Sequence, residues 1–254
     1  EAMLPDDEPI FSAVDLLAYK RARGALPNIA PPQTAILAFQ KSLVDYAIRH
    51  HSTKRVGGFI GELFLLKRTG ERVALAGNFG IGAPVTAALA DELAAFGVQR
   101  FVAIGLAGGL QSNLKPGDLV ICERALRGEG TSAHYLLPGE WAAADTEMTH
   151  GWSRALTRRG QAHTIGRTWT TDAPFRETRR TATEHQRNGI ATVEMEAAAL
   201  LAVGQALNLP AAAAFSIADT LADGRWQLKR DPRPAQKGLE ALFESALDYL
   251  TSER

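Results

Sequence analysis

The sequence is nearly without cysteine, since Cys122 is the only one in 254 residues. An internal disulfide is therefore excluded, and a zinc site built on cysteines is not expected. Cys122 lies in the run Asp118 to Cys122, and we interpret it as a buried thiol of a strand rather than a nucleophile. No P-loop pattern is present. We expect neither a metal nor a cofactor.

An excess of either charge and a long apolar run are also missing. The 28 Lys and Arg residues balance 28 Asp and Glu residues, which argues against a general binder of nucleic acid or of anionic membranes. No apolar run reaches the roughly 18 residues of a spanning helix. Residues 1–9 are acidic and lack the apolar core of a signal peptide. We therefore expect a cytoplasmic protein.

No linker rich in Pro, Gly or Ser divides the chain. A hydrophobic content of 46% is sufficient for a large core. These features predict a single domain over residues 1–254. Prolines within residues 1–35 predict an irregular N-terminal segment.

Strands and helices alternate in the pattern from residue 34 onward. Strands are predicted over 59–67, 72–77, 100–106, 119–123, 162–168 and 210–217, and helices over 34–50, 85–96, 150–160, 193–207 and 238–251. The first two strands are expected to form a hairpin, and residues 124–150 mostly a loop. The alternation predicts an α/β fold of three layers, with a central mixed sheet flanked by helices.

Sheets of this kind bind ligands outside the carboxyl ends of their strands. Three such ends carry unusual residues, namely Gly80-Ile81-Gly82, Ala107-Gly108-Gly109 and Asp219. The first turn is not a dinucleotide site, because Val85 stands where a third small residue is needed. A glycine turn before a helix can hold an anion on its free N–H groups. It can equally be a tight turn without a ligand, and spacing leaves both readings open.

Two acids flank Met195 at the predicted start of an Ala/Leu helix, in Glu194-Met195-Glu196. A helix dipole favours an acid there by roughly 0.3–1 kcal/mol, but does not require this string. The string VEMEAAA over 193–199 resembles the signature of the nucleoside phosphorylase family, which includes uridine phosphorylases, hexameric-type purine nucleoside phosphorylases and methylthioadenosine nucleosidases. Five further segments are similar to that family in the same order, at 80–82, 105–109, 116–120, 129–135 and 171–178.

The similarity covers roughly residues 70–252 and is greatest to uridine-phosphorylase-like members at 129–135 and 171–178. It implies cleavage of the bond between a sugar and a nucleobase, which passes through an oxocarbenium-like sugar. By this resemblance Glu196 holds the ribose hydroxyls, Met195 packs against the sugar and Glu194 belongs to the same binding motif.

The resemblance also implies residues that contact the base. Asp219 matches the catalytic Asp of purine-specific members and would share a proton with the leaving base; a helix N-cap is its alternative role. Phe175 would stack on the base, and Arg176 would reach the base edge or remain a surface residue. The backbone of Leu106, Ala107 and Gly108 would line the base and sugar.

The phosphate site departs from the family pattern. Ala103 stands where phosphorylases carry Arg, and Leu106 where they carry Ser or Thr. Residues 59–64, where a neighbouring subunit's Arg is expected, contain none. A buried phosphate without a cationic partner is costly.

A rearranged phosphate site is therefore expected at Gly80, Gly82 and Arg127, with Arg55 and Arg124 as other candidates. The resulting hypothesis is a nucleoside phosphorylase that takes inorganic phosphate as acceptor. Two alternatives stay open, a nucleosidase that uses water and a nucleoside-binding protein without turnover. The resemblance further implies a homo-oligomer, either a dimer or a trimer of dimers.

Overall fold

A mixed β-sheet of 11 strands carries the fold of residues 9–252, the part of the chain that the computed structural model describes. The strands are β1 (Thr34–Ala38), β2 (Thr53–Val56), β3 (Glu62–Leu66), β4 (Val73–Gly77), β5 (Arg100–Gly109), β6 (Leu119–Gly128), β7 (Trp141–Ala143), β8 (His163–Thr171), β9 (Ile190–Glu194), β10 (Ala211–Thr220) and β11 (Gln227–Leu228). The α-helices are α1 (Ala13–Ala22), α2 (Lys41–His50), α3 (Ala83–Phe96), α4 (Thr146–Arg158), α5 (Arg179–Arg187), α6 (Ala197–Ala206) and α7 (Arg233–Ser252).

Part of the sheet closes into a ring. β5 pairs with β9 and β10, β10 pairs with β6, and β8 lies between β6 and β9. From β5 the sheet continues through β1, which is parallel to both of its neighbours, to β4, β3 and β2. The carboxyl ends of β5, β9 and β10 therefore meet at one rim.

Helices cover both faces of this sheet, which confirms the predicted three-layer α/β fold. Along β1, Ala35 and Leu37 pack into the core that α3 and α6 share. Ile36 and Ala38 point the other way, into the core formed with α2, α4 and α7. The alternation follows from the two-residue period of a strand. Every residue of β1 is buried, as is typical of a strand inside a covered sheet.

The predicted helix over 34–50 is wrong in its first third. The apolar residues of β1 satisfy a helical spacing, but they pair with β4 and β5, and only residues from Lys41 onward form a helix. The predicted irregular segment 1–35 is also wrong in part. Ser12 and Asp15 form a capping box that starts α1. Residues 1–8 of that segment lie outside the described residues.

Two further boundaries differ from the prediction. The segment 124–150 is not mainly a loop, since β6 continues to Gly128 and both β7 and the start of α4 lie within it. The predicted helix over 193–207 divides into the end of β9 and helix α6, so that Glu194 ends a strand. The hairpin of β3 and β4 is confirmed. Within residues 9–252, no helix is long and apolar enough to cross a membrane.

Candidate active site

A cavity of about 510 Å³ lies at the rim where β5, β9 and β10 end. Its walls come from these three strand ends, from the segment after β8 and from the segment after β10. The lining residues are Leu106, Ala107, Gly108, Pro174, Phe175, Glu177, Val193, Glu194, Met195, Ala218, Asp219, Leu221 and Trp226. The cavity thus gathers seven of the twelve residues that the sequence predicts for the site, from segments more than a hundred positions apart.

Strand register places these groups together. Asp219 lies beside Gly108 across the parallel pair of β10 and β5, after a bulge that follows Ile217. Gly108 also pairs with Val193 of β9. A Cβ at Gly108 would lie 2.5 Å from Leu221 Cδ1 and 3.0 Å from Asp219 Oδ1. The absence of a side chain at residue 108 is therefore what lets Asp219 approach the strand.

Glu194 is a buried carboxylate with a full set of donors. It accepts hydrogen bonds from the Thr170 hydroxyl at 2.5 Å and from the backbone N–H groups of Glu196 and Ala197, both at 2.7 Å. Burial raises the pKa of Glu194, and these hydrogen bonds oppose the rise. Because its bonds run to the first N–H groups of α6, Glu194 fixes the start of that helix and the backbone of its neighbour Glu196.

Glu196 lies next to the cavity and reaches the glycine turn. Its Oε1 accepts a hydrogen bond from the backbone N–H of Gly82 at 2.7 Å. Gly82 has φ 98° and caps α3, so the carboxylate occupies the N-terminal end of that helix. Burial first, and the charge of Glu194 second, raise the pKa of Glu196 to about 7. The predicted anion position at Gly82 is thus filled by a side chain of the protein itself.

Asp219 is the carboxyl group that β10 contributes to the cavity. Trp226 donates its indole N–H to Asp219 Oδ2 at 2.8 Å. Burial raises the pKa of Asp219, and this hydrogen bond opposes the rise. The alternative of a helix N-cap is wrong, because Asp219 lies within β10 and pairs with Leu228 of β11.

Six lining residues were not predicted as site residues, and two of them, Glu177 and Trp226, have polar side chains. Burial, and to a smaller extent the charge of Asp219, raise the pKa of Glu177 to about 7. Glu177 directly follows the predicted base contacts Phe175 and Arg176, and this position in the sequence makes it a candidate for the same site. The Asp-Gly pair at 223–224 is a signal for the hairpin that carries Trp226.

The remaining predicted contacts are less enclosed. Phe175 lines the cavity but is 98% exposed, and its ring is stacked on no other ring of residues 9–252. Arg176 is exposed and does not line the cavity. Arg127, near the end of β6, does not line the cavity and donates to the segment that follows this strand, to the Ser132 hydroxyl at 2.9 Å and to the carbonyl of Leu137 at 2.8 Å.

The other two candidate arginines are also engaged elsewhere. Arg55 forms an ion pair with Glu62 at 2.6 Å, and Arg124 stacks over the Trp141 ring at 4.5 Å. The cavity itself is lined by three carboxyl side chains and by neither Lys nor Arg. Across residues 9–252, no group of three or more His, Cys, Asp or Glu side chains is arranged to hold a metal ion.

The fold and the cavity define an α/β protein with an acidic cavity at its strand ends. The chain belongs to the phosphorylase superfamily, whose family model matches residues 35–250. The match covers the sheet, all helices from α2 to α6 and nearly all of α7. The expected family membership is therefore confirmed.

Relatives in sequence include two phosphorylases. A uridine phosphorylase from Thermococcus kodakarensis is 40% identical over 94 residues, 37% of this chain and 34% of that protein. A guanosine phosphorylase from Halorubrum lacusprofundi is 28% identical over 178 residues, 68% of this chain and 73% of that protein. The alignment to the Thermococcus protein thus spans about a third of its length.

Solved structures share the fold. A uridine phosphorylase from Vibrio fischeri superposes with a TM-score of 0.77 at 21% identity, covering 89% of this chain and 94% of that chain. An AMP nucleosidase from Bacteroides thetaiotaomicron superposes with a TM-score of 0.70 at 23% identity, covering 87% of this chain and 89% of that chain. At these identities the likeness concerns the fold.

Proposed function

We propose that the protein is a nucleoside phosphorylase, which cleaves the bond between the sugar and the base of a nucleoside and transfers the sugar to phosphate. The observation that carries the proposal is the cavity in which Asp219, Met195 and the strand end at 106–108 meet, with Glu196 beside it. Membership of the phosphorylase superfamily and the names of its relatives support the same reaction class.

The groups divide between the two halves of the substrate. The base enters between Phe175 and the backbone at Gly108, so that a ring nitrogen faces Asp219. Asp219 gives its proton to that nitrogen as the bond to the sugar breaks and its electrons move to the base. The sugar lies over Met195, and its hydroxyls donate to the Glu196 carboxylate.

Phosphate attack becomes possible when Glu196 turns to the sugar. At present its carboxylate holds the N–H of Gly82 at 2.7 Å. A ribose that draws the carboxylate away would release this N–H at the start of α3, where a phosphate oxygen is favoured. Gly80 and Gly82 remain the proposed phosphate contacts. An oxygen of the phosphate then bonds to the anomeric carbon from which the base departs.

Hydrolysis is the second candidate, and one observation favours it. The carboxyl groups of Glu177, Glu194 and Asp219 line the cavity without a Lys or Arg among the lining residues. Binding of a doubly charged phosphate is unfavourable next to carboxylates and without a cation, whereas a neutral water molecule needs no cation in order to bind. In this case Glu196 or Glu177, each with a pKa near 7, could take a proton from the attacking water.

Incubation with inosine, adenosine, methylthioadenosine and uridine, each with and without phosphate, distinguishes the candidates. Base release that requires phosphate and yields a sugar 1-phosphate supports the phosphorylase. Release at the same rate without phosphate refutes it in favour of the nucleosidase. Thermal stabilisation by a nucleoside without any turnover would point to the binding protein instead.

The assembly and the location are proposed together with the function. We expect a homo-oligomer, a dimer or a trimer of dimers, which light scattering on the purified protein tests directly; a monomer would contradict this part. A cytoplasmic location stays a prediction from the sequence.

A further inference from the structure

A hairpin brings the chain back over Asp219 after the end of β10. β10 pairs with β11 through Asp219 with Leu228 and Thr220 with Gln227. The turn between them uses left-handed backbone at Asp223, with φ 58°, and at Gly224, with φ 65°. Trp226 stands at the end of this turn and lines the same cavity as Asp219.

The contact between Trp226 and Asp219 distinguishes the two carboxyl oxygens. The indole N–H donates to Oδ2 at 2.8 Å. This N–H is a donor only and does not lose its proton, so Oδ2 stays an acceptor. The carbonyl oxygen of a carboxylic acid is a better acceptor than its hydroxyl oxygen, so this contact favours the proton of Asp219 on Oδ1. Oδ1 is the oxygen nearest to Gly108, since a Cβ at residue 108 would lie 3.0 Å from it.

We infer that Trp226 is a positioning residue for Asp219. Its N–H occupies Oδ2, so that Oδ1 carries the transferable proton on the Gly108 side of the cavity, where the leaving base lies. The inference rests on the proposed function and adds a group that acts through Asp219. In the reaction the proton passes from Oδ1 to a ring nitrogen, and the sugar carbon bonds to the attacking oxygen. The N–H of Trp226 then stabilises the carboxylate that remains.

The hairpin is anchored independently of the Trp226 ring. Arg179 of α5 donates its Nε–H to the carbonyl of Gly224 at 3.2 Å. Trp226 is 67% exposed as a residue, so it contributes little to the core. Replacing it by Phe should therefore remove the hydrogen bond while leaving the fold and the turn in place.

Comparing two substrates shows whether Trp226 positions Asp219 or has only a structural role. Inosine needs a proton on its leaving base, whereas 7-methylguanosine already carries a positive charge on its ring and does not. Trp226→Phe should slow kcat on inosine about tenfold, as expected for a lost hydrogen bond to a charged group. The same variant should lower kcat on 7-methylguanosine by less than about twofold. Equal losses on both substrates would mean that Trp226 serves binding or structure, and would overturn the inference.

Double substitution tests whether Trp226 acts through Asp219. Trp226→Phe in an Asp219→Asn background should change kcat on inosine by less than about twofold, since the group it positions is gone. Independent, multiplying losses would refute the inference. Trp141→Phe serves as the matched control, because Trp141 lies on β7 and does not line the cavity, and it should leave both rates unchanged.

Tryptophan fluorescence decides the inference without turnover. The spectrum of the wild type minus that of Trp226→Phe isolates the emission of Trp226. Measured in a Glu177→Gln background, which removes the neighbouring carboxyl with a pKa of about 7, it should show one step as Asp219 titrates, and Asp219→Asn should abolish the step. If the Trp226 emission shows no step, or a step that persists in Asp219→Asn, the inferred contact between Trp226 and Asp219 is refuted. If the wild type cleaves none of the nucleosides named for the proposed function, that function fails, and this titration still decides whether Trp226 contacts Asp219.

Discussion

Replacing Glu196 by Gln should make the protein more stable at alkaline pH while impairing its activity. Glu196 is 8% exposed, and burial together with Glu194 raises its pKa from 4.5 to about 7. The native state therefore holds the proton to a higher pH than the unfolded chain does. The stability that this group contributes is complete below about pH 4.5, falls as the pH rises to about 7, and is lost above it.

The size of the effect follows from the same values. One pKa unit corresponds to about 1.4 kcal/mol, so an ionised Glu196 lowers the free energy of unfolding at pH 8 by about 3 kcal/mol. Gln keeps an oxygen that can accept the hydrogen bond from Gly82, and it carries no charge next to Glu194. We expect Glu196→Gln to regain most of this free energy at pH 8 and to change little at pH 4.

Urea unfolding of wild type and variant at both pH values measures the difference. Glu140→Gln is the matched control, because Glu140 is exposed and the substitution removes the same charge from the surface. Its stability should follow that of the wild type at both pH values. A Glu196→Gln variant that is less stable than wild type at pH 8, or that keeps the wild-type loss between pH 4 and pH 8, would refute the reasoning.

Three further substitutions test other walls of the cavity. Glu177→Gln should raise stability at pH 8 in the same direction, by less because Glu177 is only half-buried, and urea unfolding checks it; lower stability would contradict the raised pKa. Phe175→Ala should raise KM for the nucleoside about tenfold without changing Tm, since its exposed ring is expected to stack only on a bound base. An unchanged KM would exclude that stacking. Gly108→Ala should lower stability by about 1–3 kcal/mol and slow base release, because the new Cβ would displace Asp219; full activity would contradict the close approach.

The sequence predicts the fold class well and some element boundaries poorly, for a physical reason. Strand β1 has five buried residues, and a strand buried on both faces lacks the alternation that distinguishes it from a helix. Residues 34–50 therefore appeared as one helix. The capping box at Ser12 has the spacing of a helix start, although the prolines within residues 1–35 favour an irregular segment.

The candidate site was predicted where a family motif covers it. Met195, Asp219 and residues 106–108 line one cavity because strand pairing brings them together, which the motif order implies but does not show. Glu194 accepts hydrogen bonds from four donors in β8 and at the start of α6, a structural role that the motif alone does not reveal. The place of Trp226 in the cavity depends on where the hairpin after β10 packs. Local sequence can predict the turn of a hairpin, but it does not predict which part of the protein the hairpin covers.

The rate of base release by wild type and Glu196→Ala, with and without phosphate, tests the central claim most directly. Unfolding curves of both proteins accompany the assay to show that the variant is folded. We predict phosphate-dependent cleavage of a nucleoside by the wild type. The folded variant should be slower by about tenfold or more for each lost hydrogen bond to the sugar. A folded Glu196→Ala variant that cleaves as fast as the wild type would contradict the account.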